Sequence, residues 1–138
     1  MADEIKVPVS PGELLDKVTI LRIKSQRMTD AAKLKNVRVE LAALEAVWKN
    51  SAYGRRAGAD VAADVEALQQ VNEHLWVIED DIREQERRQD FGAEFVRLAR
   101  AVYFENDERA AIKRRINLKL GSSIVEEKSY ADYKGPSP

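Results

Sequence analysis

The sequence predicts an all-α fold: an antiparallel bundle of four main helices with short extended segments at its N- and C-terminal ends. Three observations predict it. Apolar residues recur at spacings of three and four through long stretches of chain, the signature of amphipathic helices. The six glycines and four prolines are confined to a few places between those stretches. Start and stop signals of helices fall at the same places.

The first helix starts sharply at Ser10-Pro11-Gly12-Glu13. A serine in the N-cap position, proline at the first helical position and glutamate three residues after the cap make a capping box, which satisfies two orphan backbone donors reciprocally. Leu14, Val18, Leu21 and Met28 share one face, while Ile20 and Ile23 lie roughly opposite, so this helix contacts two layers. The second helix spans about Asp30 to Ser51, with Thr29 or Asp30 as its cap. Its stripe is Leu34, Val37, Leu41, Leu44 and Trp48. Residues 51–60 read as a connecting loop, basic at Arg55 and Arg56. The third helix spans about Asp60 to Arg88, with Val61, Val65, Leu68, Leu75 and Ile82 in its stripe. Asp90 is the expected cap of a fourth helix, which runs to Leu120 and stops at Gly121. That stripe is Phe91, Phe95, Leu98, Val102, Ile112, Ile116 and Leu120.

The ends read as strand-like. Ile5, Val7 and Val9 alternate with polar or proline residues over 1–9, and Ile124-Val125 lies in the last segment. Pro8 confines the first piece to an edge. The two pieces are expected to pair with each other or to lie over the first helix. Residues 131–138, with Gly135, Pro136 and Pro138, are expected to be a flexible tail. On length the 138 residues make one domain.

Composition bounds the function. Apolar residues make up 44% and charged residues 34%, which excludes both a disordered chain and a membrane-spanning one. Lys+Arg total 23 and Asp+Glu 24, a formal charge of −1 that argues against a nucleic-acid partner. No cysteine is present, so a disulfide framework, a thiolate metal site and a thiol nucleophile are excluded. The one histidine, His74, excludes a site built on two imidazoles; it has no orienting partner at helical spacing and reads as a surface residue. No signal peptide or membrane span is visible, and a cytoplasmic location is the default expectation.

The strongest oddity is the polar interruption of two long apolar stripes. The third helix carries Asn72, Glu79, Asp80 and Arg83, and the fourth carries Asn106, Arg109, Lys113 and Asn117. If these helices form a hairpin about residues 89–91, Asn72 lies at the depth of Asn106 and Arg109, and Glu79 reaches Arg109 only with a tilt. A buried charge is costly unless paired, so such residues need a reason. One reason is a polar pocket for a small anionic or hydroxylated ligand, with Asn72, Glu79, Arg83, Asn106, Arg109 and Lys113 as its binding residues and the turn Ser10–Lys17 as a second candidate. The other is an ion-pair network that fixes helix register.

Other features point less far. Asp81 with Glu84, and Glu105 with Glu108, are two carboxylate pairs at spacing i, i+3, the pattern with which all-α nucleotide pyrophosphohydrolases hold Mg²⁺. They define the alternative function, a Mg²⁺-dependent nucleotide hydrolase or transferase. The run Lys113-Arg114-Arg115 with Arg109 and Lys119 complements the negative end of the fourth helix, and only part of it is free to be an anion-binding face. Trp76, Tyr103 and Phe104 lie off the stripes and, with Ile20 and Ile23, suggest a second apolar surface for self-association or a protein partner, unless the chain ends cover it. No catalytic residue, metal ligand or cofactor is assigned, and no nucleotide-phosphate loop or nucleophile elbow is present.

Four blocks carry a resemblance: VPVSPGELLDKVTIL (7–21), VNEHLWVIEDDIR (71–83), NDERAAIKRRIN (106–117) and VEEKSY (125–130). Over residues 5 to 130 the chain resembles a family of small all-helical bacterial proteins, a domain of unknown function, sometimes encoded near glycosyltransferases and other genes of cell-surface carbohydrate synthesis. The resemblance implies that the polar residues of those blocks are its characteristic part: Glu13, Asp16, Lys17, Asn72, Trp76, Glu79, Asp80, Arg83, Asn106, Arg109, Lys113, Arg114 and Lys128. It implies no particular reaction. The function expected is a non-enzymatic interaction or small-ligand-binding module, associated with cell-surface carbohydrate or nucleotide-sugar metabolism.

Overall fold

The structure, a computed structural model, describes residues 3–133 and is built of helices, with no strand among the described residues. Helix α1 spans Pro11–Arg27, α2 Ala31–Asn50, α3 Ala52–Ala57, α4 Ala62–Arg87 and α5 Ala93–Lys119. A 3-10 turn, Gly58–Val61, joins α3 to α4. The expected loop 51–60 is therefore mostly helical. The Ser51 hydroxyl caps α3 by accepting from the Gly54 amide at 3.0 Å and donates to the Trp48 carbonyl at 2.6 Å. A Cβ on Gly54 would stand 2.1 Å from that carbonyl oxygen, so the sharp turn from α2 into α3 requires glycine there.

The caps confirm some start signals and move others. Ser10 caps α1 and accepts from the Glu13 amide at 3.2 Å. The reciprocal half of the capping box is absent, because the Glu13 carboxylate is drawn to Lys113 instead, at 2.6 Å. Asp30, rather than Thr29, caps α2. Asp90 does not cap α5: it accepts from the Gly92 amide in a local turn, and Gly92 is the N-cap. Gly121 ends α5 as expected, at φ +65, with its amide on the Leu118 carbonyl and the Ser122 amide on the Asn117 carbonyl. These are the two bonds of a Schellman motif.

The end of α4 makes the same two bonds, Gln89 to Glu86 and Asp90 to Gln85, but here a glutamine takes the left-handed position at φ 55. A side chain costs about 1 kcal/mol in that conformation. Gln89→Gly is accordingly expected to stabilise the protein by about 0.5–1 kcal/mol, read as a rise in thermal midpoint. A fall would mean that the exposed side-chain bond from Gln89 to the Glu86 carbonyl outweighs the strain.

The cross-helix pairs fix how the elements run. On α4 and α5, Asp64 meets Arg115 and Lys119 while His74 meets Glu105, so these two helices form an antiparallel hairpin. Between α1 and α5, Gly12 meets Asn117 and Asp16 meets Arg109, again antiparallel. Helix α1 packs on α2, α4 and α5, whereas α2 packs on α1 and α3. The core is Leu15 of α1, Val61 of the 3-10 turn, Leu68 and Val71 of α4, and Ile112 and Ile116 of α5. Trp48, Leu75 and Leu120 close around it half-buried. Burying each of the large side chains contributes about 1.5–3 kcal/mol. The α2 stripe meets only one neighbouring layer. Val37 is buried, but Leu34, Leu41, Leu44 and Trp48 are half-covered.

The strand-like ends do not pair. Ile5 is 91% exposed, and Val7 and Val9 are exposed too. The C-terminal segment instead runs back along α5 without regular structure. Glu127 meets Arg114 at 3.0 Å, and the Tyr133 ring packs on Tyr103 and Phe104 at centroid distances of 5.2 and 5.0 Å. Residues 134–138 of the expected flexible tail lie outside the described residues. Among the described residues no helix is long and apolar enough to cross a membrane.

Candidate functional site

The polar interruptions of α4 and α5 converge on a residue of α1. Asp16 is 1% exposed. Its carboxylate accepts from Asn72 Nδ2 at 3.0 Å and from Arg109 Nε at 2.9 Å, with a second, shorter bond from Arg109 Nη2 to the other oxygen. Lys113 Nζ lies 3.6 Å from that second oxygen and 2.6 Å from Glu13. Thr19 completes the set: its hydroxyl donates to the Asp16 carbonyl at 2.8 Å and accepts from Asn72 at 3.0 Å. One turn before Asp16, the Gly12 amide donates to Asn117 Oδ1 at 2.7 Å. Gly12, Asp16 and Thr19 thus form a polar line along α1 that meets its complement on both longer helices. Among the described residues no buried side-chain nitrogen or oxygen lacks a partner.

Charge follows geometry here. Burial pushes the Asp16 carboxyl upward, but the hydrogen bonds from Arg109 and Asn72 and the charges of Arg109 and Lys113 outweigh it, so its pKa lies below the usual aspartate value. Burial likewise pushes Lys113 down, while Glu13, Asp16 and Glu126 together raise it above an ordinary lysine. Both groups are held charged. A second buried carboxylate, Asp64, is clamped by Arg115 at 2.8 Å and Lys119 at 2.7 Å, and acts as a pin between α4 and α5.

On the solvent side of this network lies a cleft of about 460 Å³ between α1, α4 and α5. One wall is apolar: Ile20 and Ile23 of α1 with Leu75 and Trp76 of α4. The polar rim is Lys24, Glu79, Asp80, Arg83 and Asn106, and the floor is Asn72 and Arg109. Five of the six residues proposed from the sequence therefore line one cleft, and Lys113 lies in a smaller hollow beside it. The six divide by role. Asn72, Arg109 and Lys113 are tied into α1. Among the described residues Glu79 and Arg83 pair only with each other, at 3.3 Å on the exposed rim, and Asn106 accepts a long 3.5 Å bond from Arg109.

Depth along the hairpin places Arg109 against Asn72, but their shared partner Asp16 stands in the sequence only within the second candidate turn Ser10–Lys17 and among the residues the resemblance marks, and Thr19 stands in neither. A signal for both was present: Gly12, Asp16, Thr19 and Ile23 recur at spacings of four, three and four, a face of α1 as regular as the apolar one. The expected second apolar surface is divided. Ile20, Ile23 and Trp76 belong to the cleft wall, while Tyr103 and Phe104 lie elsewhere on α5 against Tyr133. His74 stands exposed, 3.8 Å from Glu105.

The acidic pairs do not assemble. Among the described residues no group of three or more His, Cys, Asp or Glu side chains is placed to hold a metal ion. Asp81 lies at the level of Arg97, eight residues (about 12 Å of helix) from Glu105. Glu84 is held to about 2 by its hydrogen bond to Arg87 and by Arg88. A comparison with protein families, curated proteins and solved structures finds no match to this chain.

Proposed function

We propose that this chain is a non-enzymatic ligand-binding module and that the cleft between α1, α4 and α5 holds a small, hydroxylated ligand. One observation carries the reading: side chains that interrupt the apolar stripes of two different helices meet at a single concave surface beside a half-buried tryptophan. A pocket of this size with an apolar wall and a few convergent polar groups suits a small molecule. Trp76 and the isoleucines supply a surface for the C–H face of a ring. Glu79, Asp80, Arg83 and Asn106 supply donors and acceptors for hydroxyl groups, and the Asp16 network holds Arg109 and Asn72 rigid beneath them. Nucleotide sugars and sugar phosphates are the ligand classes that fit both this chemistry and the resemblance to a bacterial family near carbohydrate-synthesis genes. A cytoplasmic location and an up-down-up-down order of α1, α2, α4 and α5 belong to the same proposal; the antiparallel α4–α5 and α1–α5 pairs support the latter.

The test is a thermal-shift panel of nucleotides, nucleotide sugars and sugar phosphates, with and without Mg²⁺. A ligand at 100 times its dissociation constant stabilises by about 2.7 kcal/mol, several degrees for a chain of this length. Trp76→Ala and Glu79→Ala are expected to abolish that shift while moving the unliganded midpoint by only a few degrees, since both side chains, one in the cleft wall and one on its rim, are only half-buried. A flat panel overturns the reading for these ligand classes. A shift that requires Mg²⁺ would favour the hydrolase alternative.

A further inference from the structure

Beside the main cleft, on the other side of Asn106 and Arg109, lies a hollow of about 250 Å³ roofed by the C-terminal segment. Its cations are Arg109 and Lys113 of α5 and Lys128 of the segment, and its carboxylates are Glu13 of α1 and Glu126 of the segment. Glu126 is the unusual member. It is 46% exposed and lies on a segment without helix or strand, yet it bridges two lysines, one oxygen 3.3 Å from Lys113 Nζ and the other 3.5 Å from Lys128 Nζ. Two cations from different elements, each gripping one oxygen of the same anion, is how a site holds an anionic ligand. Here the anion is the chain's own.

The charge count says what Glu126 replaces. Without it, the described carboxylates in or beneath the hollow are Glu13 and Asp16 against Arg109, Lys113 and Lys128, an excess of one positive charge. Arg109 Nη1 also keeps spare donor capacity, since its one bond is the 3.5 Å contact with Asn106. We propose that this hollow is a phosphate subsite in which Glu126 is a built-in stand-in for the ligand's anion. The inference rests on the ligand-binding reading of the adjoining cleft and names its ligand class: a ring-bearing phosphomonoester, ring against Trp76 and phosphate on Lys113, Lys128 and Arg109. Phosphate entry displaces the Glu126 carboxylate from between Lys113 and Lys128, while Lys128 stays at the hollow.

The test uses the full chain and isothermal titration with inorganic phosphate, glucose 6-phosphate and glucose, against chloride at matched ionic strength. Inorganic phosphate probes the subsite alone. Glu126→Gln removes the competitor and is expected to tighten phosphate binding about fivefold, whereas Lys128→Met weakens it by about tenfold. Both substituted side chains are half-exposed, so the fold tolerates them. A merely structural role for Glu126 predicts no gain on Glu126→Gln, and that result overturns the proposal. If glucose binds as tightly as glucose 6-phosphate, the subsite falls and the cleft reading stands. If inorganic phosphate binds and no ring-bearing ligand binds better, the subsite stands and the cleft reading falls. Silence from all three probes overturns the phosphate subsite.

Discussion

Asp16→Ala is expected to cost about 3–5 kcal/mol of stability, a fall of about 10–20 °C in the thermal midpoint. The cause lies in what is left behind rather than in the bonds removed. Arg109 would lose its paired carboxylate in a half-buried site, Lys113 would keep only Glu13 and Glu126 close among the described residues, and Asn72, 5% exposed, would lose one of its two acceptors. Uncompensated buried charge is the expensive outcome. The double variant Asp16→Leu with Arg109→Met removes both ends of the pair and is expected to recover much of the loss, because apolar replacement of a buried pair is often neutral. If the double variant is as unstable as the single one, the network's value lies in something other than charge pairing.

The same pair sets a pH dependence. Asp16 has a folded pKa below its unfolded value, because Arg109, Asn72 and Lys113 more than offset its burial. A depressed carboxylate contributes stability that is present above the unfolded value, near 3.8 here, and is lost as pH falls through the lower folded value. Denaturant midpoints measured from pH 6 down to pH 2 are expected to fall steeply in the acid range for the native chain. For Asp16→Asn the slope there is expected to be shallower.

Much of the fold was legible because periodicity and punctuation agreed. The start of α1 and the boundaries of α2, α4 and α5 fall within three residues of the expected ones, and the stripes at Leu68, Leu98, Ile112 and Ile116 are buried. What failed failed locally. Residues 51–60 carry two glycines and two arginines and have the composition of a loop, yet one serine hydroxyl capping the Gly54 amide nucleates a helical turn. Ile5, Val7 and Val9 alternate as in a strand, but among the described residues no strand lies beside them, and alternation without a partner does not make a sheet. The candidate site was legible only from one side. Asn72, Glu79 and Arg109 stand out because they break apolar stripes. Asp16 breaks no long stripe: it shares a face of α1 with Gly12, Thr19 and Ile23, a side of the helix that Ile20 and Ile23 mark as apolar.

Gly12→Ala is the second substitution expected to act strongly, and for a reason of space rather than charge. A Cβ at Gly12 would stand 2.6 Å from the Lys113 carbonyl oxygen and 2.9 Å from Asn117 Oδ1. The first contact is with helical backbone in the last third of α5, which cannot yield without breaking helix bonds. Either α1 moves off α5 or the turn Ser10–Glu13 reshapes, and both lengthen the buried 2.7 Å bond from the Gly12 amide to Asn117. Overpacking together with a strained buried hydrogen bond costs about 2–4 kcal/mol. Because Gly12 opens the helix that carries Glu13 and Asp16, the displacement reaches the site as well: Lys113 separates from Glu13, and Arg109 loses its aligned carboxylate. Gly12→Ala is thus expected to lower the thermal midpoint by roughly 10 °C and to weaken ligand binding together. Asn117→Ala, which removes the side-chain acceptor but leaves the close backbone approach intact, is expected to cost less than Gly12→Ala. The reverse order would place the main strength of the α1–α5 contact in the hydrogen bond and not in the close packing that only glycine permits.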